Sequence, residues 1–215
     1  MTFQGWPEEA VEFYEGLEAE NTKTYWTANK ASYEANVLGP MVELLDELGP
    51  EFGDTRVFRP YRDVRFSKDK SPYKTHLGGV IGDGYIQLSA NGLAAANGMY
   101  EMAPDQLNSY RRAVADDAGG KELEHIAGVL KGHDIEVHCH DMLKTAPRGY
   151  RPDHPRIELL RYKGLWAWKQ WPVEPWLGTS EVKQRVAGFL TASRPLAQWL
   201  GAHVGRSTAE PARRR

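Results

Sequence analysis

Cysteine is almost missing from this chain: Cys139 is the only one in 215 residues. That excludes a disulfide within the chain, a CxxC redox pair and a cysteine-built zinc cluster. Long apolar runs are missing as well. No stretch approaches the roughly 20 apolar residues of a spanning helix, and the opening MTFQGWPEEAVEFYEGLEAEN carries acids where a signal peptide carries basic residues and an apolar block. A cytoplasmic protein with no membrane partner is expected. There is no P-loop, GxGxxG, GxSxG or HExxH pattern, so no cofactor is expected and the usual signals of nucleotide, serine-hydrolase and zincin chemistry are wanting. No Ser/Gly or Pro-rich linker divides the chain, so residues 1–205 are expected to form a single domain, with 206–215 as a flexible basic tail.

What is present is an ordinary globular composition, 41% hydrophobic and 26% charged, with a net charge of −2. The charge is unevenly placed. Residues 59–76, RPYRDVRFSKDKSPYKTH, hold six Lys or Arg and His76 against two Asp, a local charge of +4 that leaves −6 for the remainder. A positive focus on an acidic body is a candidate anion site.

The hydrophobic pattern begins with a helix over 7–19, where Ala10, Phe13, Tyr14 and Leu17 share one face. A second helix is expected from Thr22 or Thr24, and a third from Pro40 that Gly49-Pro50 stops. From Thr55 the texture becomes β-like, with runs at 56–66, 75–81, 85–90 and 93–101 joined by Gly82-Asp83-Gly84 and Asn91-Gly92. Asp105 reads as the cap of a helix that breaks at Gly119-Gly120 and resumes to Leu130. A strand over 134–140, a short helix near 157–161, an aromatic strand over 165–171 and a C-terminal helical stretch follow. The predicted fold is α+β, with N-terminal helices, a central mainly antiparallel sheet and C-terminal helices.

If 56–66 is a strand, Arg62 shares a face with Phe58, Val64 and Phe66, where a guanidinium needs a carboxylate, carbonyls or a bound anion. Lys68, Lys70 and Lys74 follow on a loop. Arginine forks with nearby lysines suit phosphate or carboxylate, because the fork fixes geometry and the lysines add point charge. The competing reading is a salt-bridge network that pins the loop.

The runs RDVRFSKDKSPYKTH, NTKTYWTANKASYEANVLGPM, NGMYEMAPDQLNSYR and LKTAPRGYRPDHPRIELLRYK together resemble the domain-of-unknown-function 2461 family of microbial proteins. The resemblance covers nearly the whole chain. It implies an α+β domain and brings no established activity. Its signature positions are Arg62, Asp63, Arg65, Phe66, Ser67, Asp69, Lys70, Pro72, Tyr73 and Lys74, with Gly98, Tyr100, Arg111, Lys144, Tyr150 and His154 among the later ones. Asn21-Thr22 and Tyr25-Trp26 depart from the Asn-Asn and Trp-Phe pairs of the pattern.

Two other clusters draw notice. Glu136, His138 and His140 share one strand face, but the alternation with Ile135, Val137 and Cys139 is that of a half-buried strand, so no metal site is expected. Trp166, Trp168, Trp171 and Trp176 read as packing rather than a stacking platform.

The expected function is recognition of a small phosphorylated or carboxylated ligand by Arg62, Arg65, Lys68, Lys70, Lys74 and Arg111. Asp63, Asp69, Tyr73 and His154 would orient these groups or transfer protons if the protein is an enzyme. The alternatives are a nucleic-acid or protein interaction module using the same basic surface, and a purely structural charge network. Nothing in the sequence sets an oligomeric state.

Overall fold

The computed structural model describes residues 2–65 and 67–208. Phe66, expected on the apolar strand face and among the signature positions, and residues 209–215 of the expected tail lie outside the described residues. The fold is α+β, with a six-stranded antiparallel sheet in the order β1-β2-β3-β4-β6-β5 and helices before and after it in the chain. The strands are β1 (Thr55–Val57), β2 (His76–Ile81), β3 (Gly84–Ser89), β4 (Gly92–Met99), β5 (Glu136–His138) and β6 (Leu165–Trp171). By internal contacts the chain divides into two compact units, Met1–Ala95 with Gln170–Leu190, and Ala96–Lys169 with Thr191–Arg215.

In the first unit, α1 (Glu8–Ala19) buries Ala10, Phe13, Tyr14 and Leu17, the stripe its periodicity predicts. Thr22 caps α2 (Lys23–Ser32) by accepting from Tyr25 N. The expected gap before Pro40 is instead a π-helical turn, Tyr33–Leu38, that runs directly into α3 (Gly39–Phe52). Proline explains the register change. Pro40 has no N–H to give, so the ladder resumes with the wider bond from Gly39 N to Glu34 O, and the Trp6 indole donates to the Val37 carbonyl at 3.1 Å. Gly49-Pro50 does not stop α3, which reaches Phe52 before Gly53 N closes on Gly49 O at 2.9 Å. β2 and β3 pair in register from His76↔Ser89 to Ile81↔Gly84. Gly82 turns this hairpin at φ +54, where a Cβ would come within 2.2 Å of Phe52 O. The fully buried Leu17, Leu44, Ile86 and Leu88 each contribute on the order of 2 kcal/mol of burial energy.

In the second unit, α4 (Pro104–Ala115) starts one residue before Asp105, with the Gln106 side chain accepting from Ala103 N at 3.0 Å. The break falls at Asp116, whose carboxylate caps α5 (Asp117–Gly132) by accepting from Ala118 N and Gly119 N. Gly119 and Gly120 are in the first turn of α5 because the carbonyls of Ala113 and Val114 and the Arg156 guanidinium leave no room for a Cβ. β5 is shorter than the predicted 134–140 and pairs with β6 from Glu136↔Trp168 to His138↔Trp166. After α6 (Ile157–Leu160), the C-terminal stretch of α7 (Glu181–His203) places Trp199 edge-on to Tyr110 at 6.2 Å, its indole donating to Gly119 O. Ser207 and Thr208 bond to the Asp105 carboxylate.

Among the described residues no helix is long and apolar enough to cross a membrane.

Candidate functional site

β1 ends at Val57 and β2 begins at His76, so residues 58–75 are an excursion rather than the predicted strand. Pro60 is the physical reason, since it can give no hydrogen bond to a sheet ladder. The segment pairs with its own far side instead. Arg62 N donates to Pro72 O at 2.9 Å, Lys74 N to Pro60 O at 2.8 Å, and Tyr61 bridges Tyr73. Strand parity therefore does not decide where Arg62 points.

The base of the excursion is anchored from the helices. Tyr73 is buried with its ring stacked on Trp26, centroids 4.3 Å apart and planes 8° from parallel. The Asn21 side chain holds its backbone at both ends, donating to Tyr73 O at 3.0 Å and accepting from Tyr73 N at 3.1 Å. Burial and the nearby Tyr61 push the Tyr73 phenol above its ordinary value.

The tip answers much of its own charge. Arg65 forks onto Asp63, Nε to Oδ1 at 2.9 Å and Nη2 to Oδ2 at 2.6 Å. Arg62 pairs with Asp69, which also accepts from Ser71 N and Oγ. Lys70 Nζ donates to Val64 O at 2.9 Å. The hydrogen bonds from Arg65 hold the Asp63 carboxyl at about 2, and those from Arg62 and Ser71 hold Asp69 well below the carboxylate range. At neutral pH both are fixed anions that orient arginines.

Below the tip lies a cleft of about 470 Å³. Three basic side chains line it, Arg62, Lys74 and His76, together with the hydroxyls of Ser71 and Thr75 and the carboxylates of Glu18 and Asp69. Among the described residues neither Lys74 nor His76 has an ion pair or a side-chain hydrogen bond. Lys74 Nζ lies 5.5 Å from the centre of the Phe58 ring. Burial and then the charge of Arg59 push the Lys74 pKa down. Burial and then Lys74 do the same to His76, whose ordinary value is 6.5, so its imidazole is neutral at pH 7. Arg59 and Lys68 are exposed and have no ion pair among the described residues.

The fold therefore brings Arg62, Asp69, Tyr73 and Lys74 of the predicted set to one cleft, while Arg65, Lys68, Lys70 and Asp63 belong to the loop above it. Arg111 and His154 are in the second unit and have local partners. Arg111 Nε donates to Leu160 O at 3.2 Å, and His154 Nδ1 accepts from Arg156 N at 3.0 Å, holding the turn before α6. Five lining residues were not singled out as site residues from sequence: Glu18, Asn21, Ser71, Thr75 and His76. His76 carried a signal, as the end of the basic stretch. Glu18 is an exposed acid near the end of α1, and no local pattern sets it apart from the other glutamates of that helix.

Elsewhere, His140 stacks on Tyr100 at 4.5 Å and 17°, and His138 Nε2 lies 2.8 Å from Glu136 Oε2 without the alignment of a hydrogen bond. Trp171 and Trp176 are buried and pack edge to face, whereas Trp166 and Trp168 are half-buried. Burial raises the Cys139 thiol, with Asp141 adding to the effect, which lowers its thiolate fraction.

Residues 9–199 match the model of a family described as conserved hypothetical protein (DUF2461). The chain belongs to that family. The match takes in the 62–74 signature and every residue lining the cleft. No curated protein matches the chain. Among solved structures, a conserved hypothetical protein from Pyrococcus furiosus is similar with a TM-score of 0.39 and 13% identity, over 80% of this chain and 99% of that one. That likeness is too remote to relate the DUF2461 cleft to a site in the archaeal protein.

Proposed function

We propose that the cleft binds a small phosphorylated or carboxylated molecule through Arg62, Lys74 and His76 in a cytoplasmic protein. The supporting observation is that Lys74 and His76, both half-buried, line the cleft beside Arg62 with no acidic partner among the described residues. Removing an unpaired cation from water is costly, and a bound anion offsets that cost. Arg62 supplies a planar fork, oriented by Asp69, while Lys74 supplies a point charge. The volume, about 470 Å³, is that of small-molecule pockets. Arg59, Arg65, Lys68 and Lys70 act by field, drawing anions toward the mouth. His76, neutral at pH 7 and titrating below it, is the lining group best suited to exchange a proton with a bound ligand. Arg111 and His154 have structural tasks in the second unit and take no part in this reading.

The test is thermal unfolding against a panel of phosphorylated and carboxylated metabolites and a short single-stranded oligonucleotide at fixed salt. A ligand at about 100 times its Kd stabilises by roughly 2.7 kcal/mol, a rise of about 5 to 11 °C in a chain of this size. Such a rise with a small anion, lost in Lys74→Met, is expected. No rise with any small anion, or a rise only with the oligonucleotide that collapses as salt increases, would overturn the proposal.

A further inference from the structure

The same cleft holds an unanswered charge of the opposite sign. Glu18 lines it and, among the described residues, has no ion pair and no side-chain hydrogen bond. Its neighbour Glu20 is engaged by the Thr22 hydroxyl at 2.9 Å. Glu18 also sits in the last turn of α1, where the helix end carries partial negative charge, and that turn has no basic residue. A carboxylate there adds like charge to like. Lys74, lining the same cleft, would be the natural internal partner, yet the two do not form an ion pair. Opposite charges lining one small cleft, neither in an ion pair among the described residues, leave room for a ligand that carries the complementary charges at its two ends.

We infer that the ligand of this cleft is zwitterionic, with an anionic group at Arg62, Lys74 and His76 and an ammonium group facing Glu18. The inference rests on the anion-binding reading above and narrows it to aminoalkyl phosphates, amino acids and their phosphorylated relatives. Within it, Glu18 selects among anions rather than holding the anionic group. Lys74 and Arg62 set whether any anion binds; Glu18 sets which one. An exposed carboxylate at the mouth also lowers the affinity for simple anions by repulsion.

Matched pairs separate the two readings. O-phosphoethanolamine and 3-aminopropyl phosphate are titrated calorimetrically at pH 8 and fixed ionic strength against propyl phosphate and butyl phosphate, which replace the ammonium by a methyl group. The amines are expected to bind wild type about tenfold or more tightly than the alkyl esters, a preference of roughly 1.4 kcal/mol. Glu18→Gln, at an exposed position that tolerates the change, is expected to bring each pair within about twofold without weakening the alkyl phosphates. Equal binding of the pairs by wild type, or a preference that survives in Glu18→Gln, overturns the zwitterion inference while alkyl phosphate binding upholds the anion site. Absence of binding by all four esters overturns both.

Discussion

Arg156 and Arg62 are both the centres of charged clusters, and they are treated in opposite ways. Arg156 in the second unit is 6% exposed. Its Nε donates to Val114 O at 2.7 Å, its Nη2 reaches Ala115 O, Asp116 O and Asp117 Oδ1, and its Nη1 lies 3.7 Å from Glu124. That guanidinium is spent on the end of α4 and the start of α5. Arg62 in the first unit is 30% exposed along its side chain, pairs with Asp69 alone among the described acids, and lines a cleft beside Lys74 and His76, neither of which has an ion pair or a side-chain hydrogen bond among the described residues. The difference lies in satisfaction rather than in charge. A guanidinium whose Nε and Nη2 donors are taken by backbone carbonyls and a carboxylate serves the fold, whereas one with donors left over at a cleft is equipped for a ligand.

The sharpest contrast is in stability. Arg156→Met strands three backbone acceptors and two carboxylates and is expected to cost about 3 kcal/mol, a fall of roughly 6 to 12 °C in Tm. Gly120→Ala attacks the same clamp, since its Cβ would meet Arg156 Nε at 2.2 Å and Val114 O at 2.4 Å. Calorimetry of the two single variants and the double is expected to show losses that do not add, because both break one contact set. Additive losses would mean that Gly120 and Arg156 act separately.

Lys74→Met is the converse. It removes a half-buried cation that has no ion pair among the described residues, so Tm is expected to stay level or rise slightly, while affinity for a small anion falls about tenfold or more. A fall in Tm like that of Arg156→Met would place Lys74 with the structural charges and erase the contrast.

His76 gives a smaller, pH-dependent effect. Its pKa in the folded chain lies below the ordinary 6.5, so the free protein binds fewer protons here than the unfolded chain does. Stability from keeping the imidazole neutral is present above about 6.5 and lost as pH falls toward the folded value. Anion binding has the opposite sign, because a protonated imidazole adds positive charge to the cleft. Sulfate, which does not titrate in this window, is expected to bind more tightly as pH falls from 8 to 5.5, and less steeply in His76→Gln. An unchanged pH slope in that variant would remove His76 from the site.

The smallest effect belongs to Arg65, 76% exposed along its side chain and forked onto Asp63. Arg65→Gln is expected to leave the Tm within about 1 °C and to lower anion affinity only modestly, through the field. The pairing supports the fold above the ordinary carboxylate range and is lost as pH falls toward the Asp63 value of about 2.

How far the sequence led differs between these places. The α1 stripe, the Thr22 cap and the Gly82 and Gly92 turns follow from local chemistry, and the structure has them where that chemistry puts them. The 56–66 strand failed because Pro60 outweighed the β-like composition, and with it went the parity argument for Arg62. Gly119-Gly120 looked like a helix break because a glycine pair reads that way locally. Their smallness is demanded by Arg156, 36 residues further along from Gly120, and no local pattern carries that. The charge of 59–76 was legible, but which of its cations lack a partner was not, since that depends on how Asp63 and Asp69 fold back. Glu18 was invisible for the same reason.

The most direct measurement is a calorimetric titration of sulfate into wild type and Lys74→Met at pH 6 and fixed ionic strength, with the Tm of both recorded. Saturable one-to-one binding by wild type, weakened about tenfold or more in a variant that melts no lower, is the expected result. No saturable binding by wild type, or equal binding by the two proteins, would contradict an anion site at this cleft.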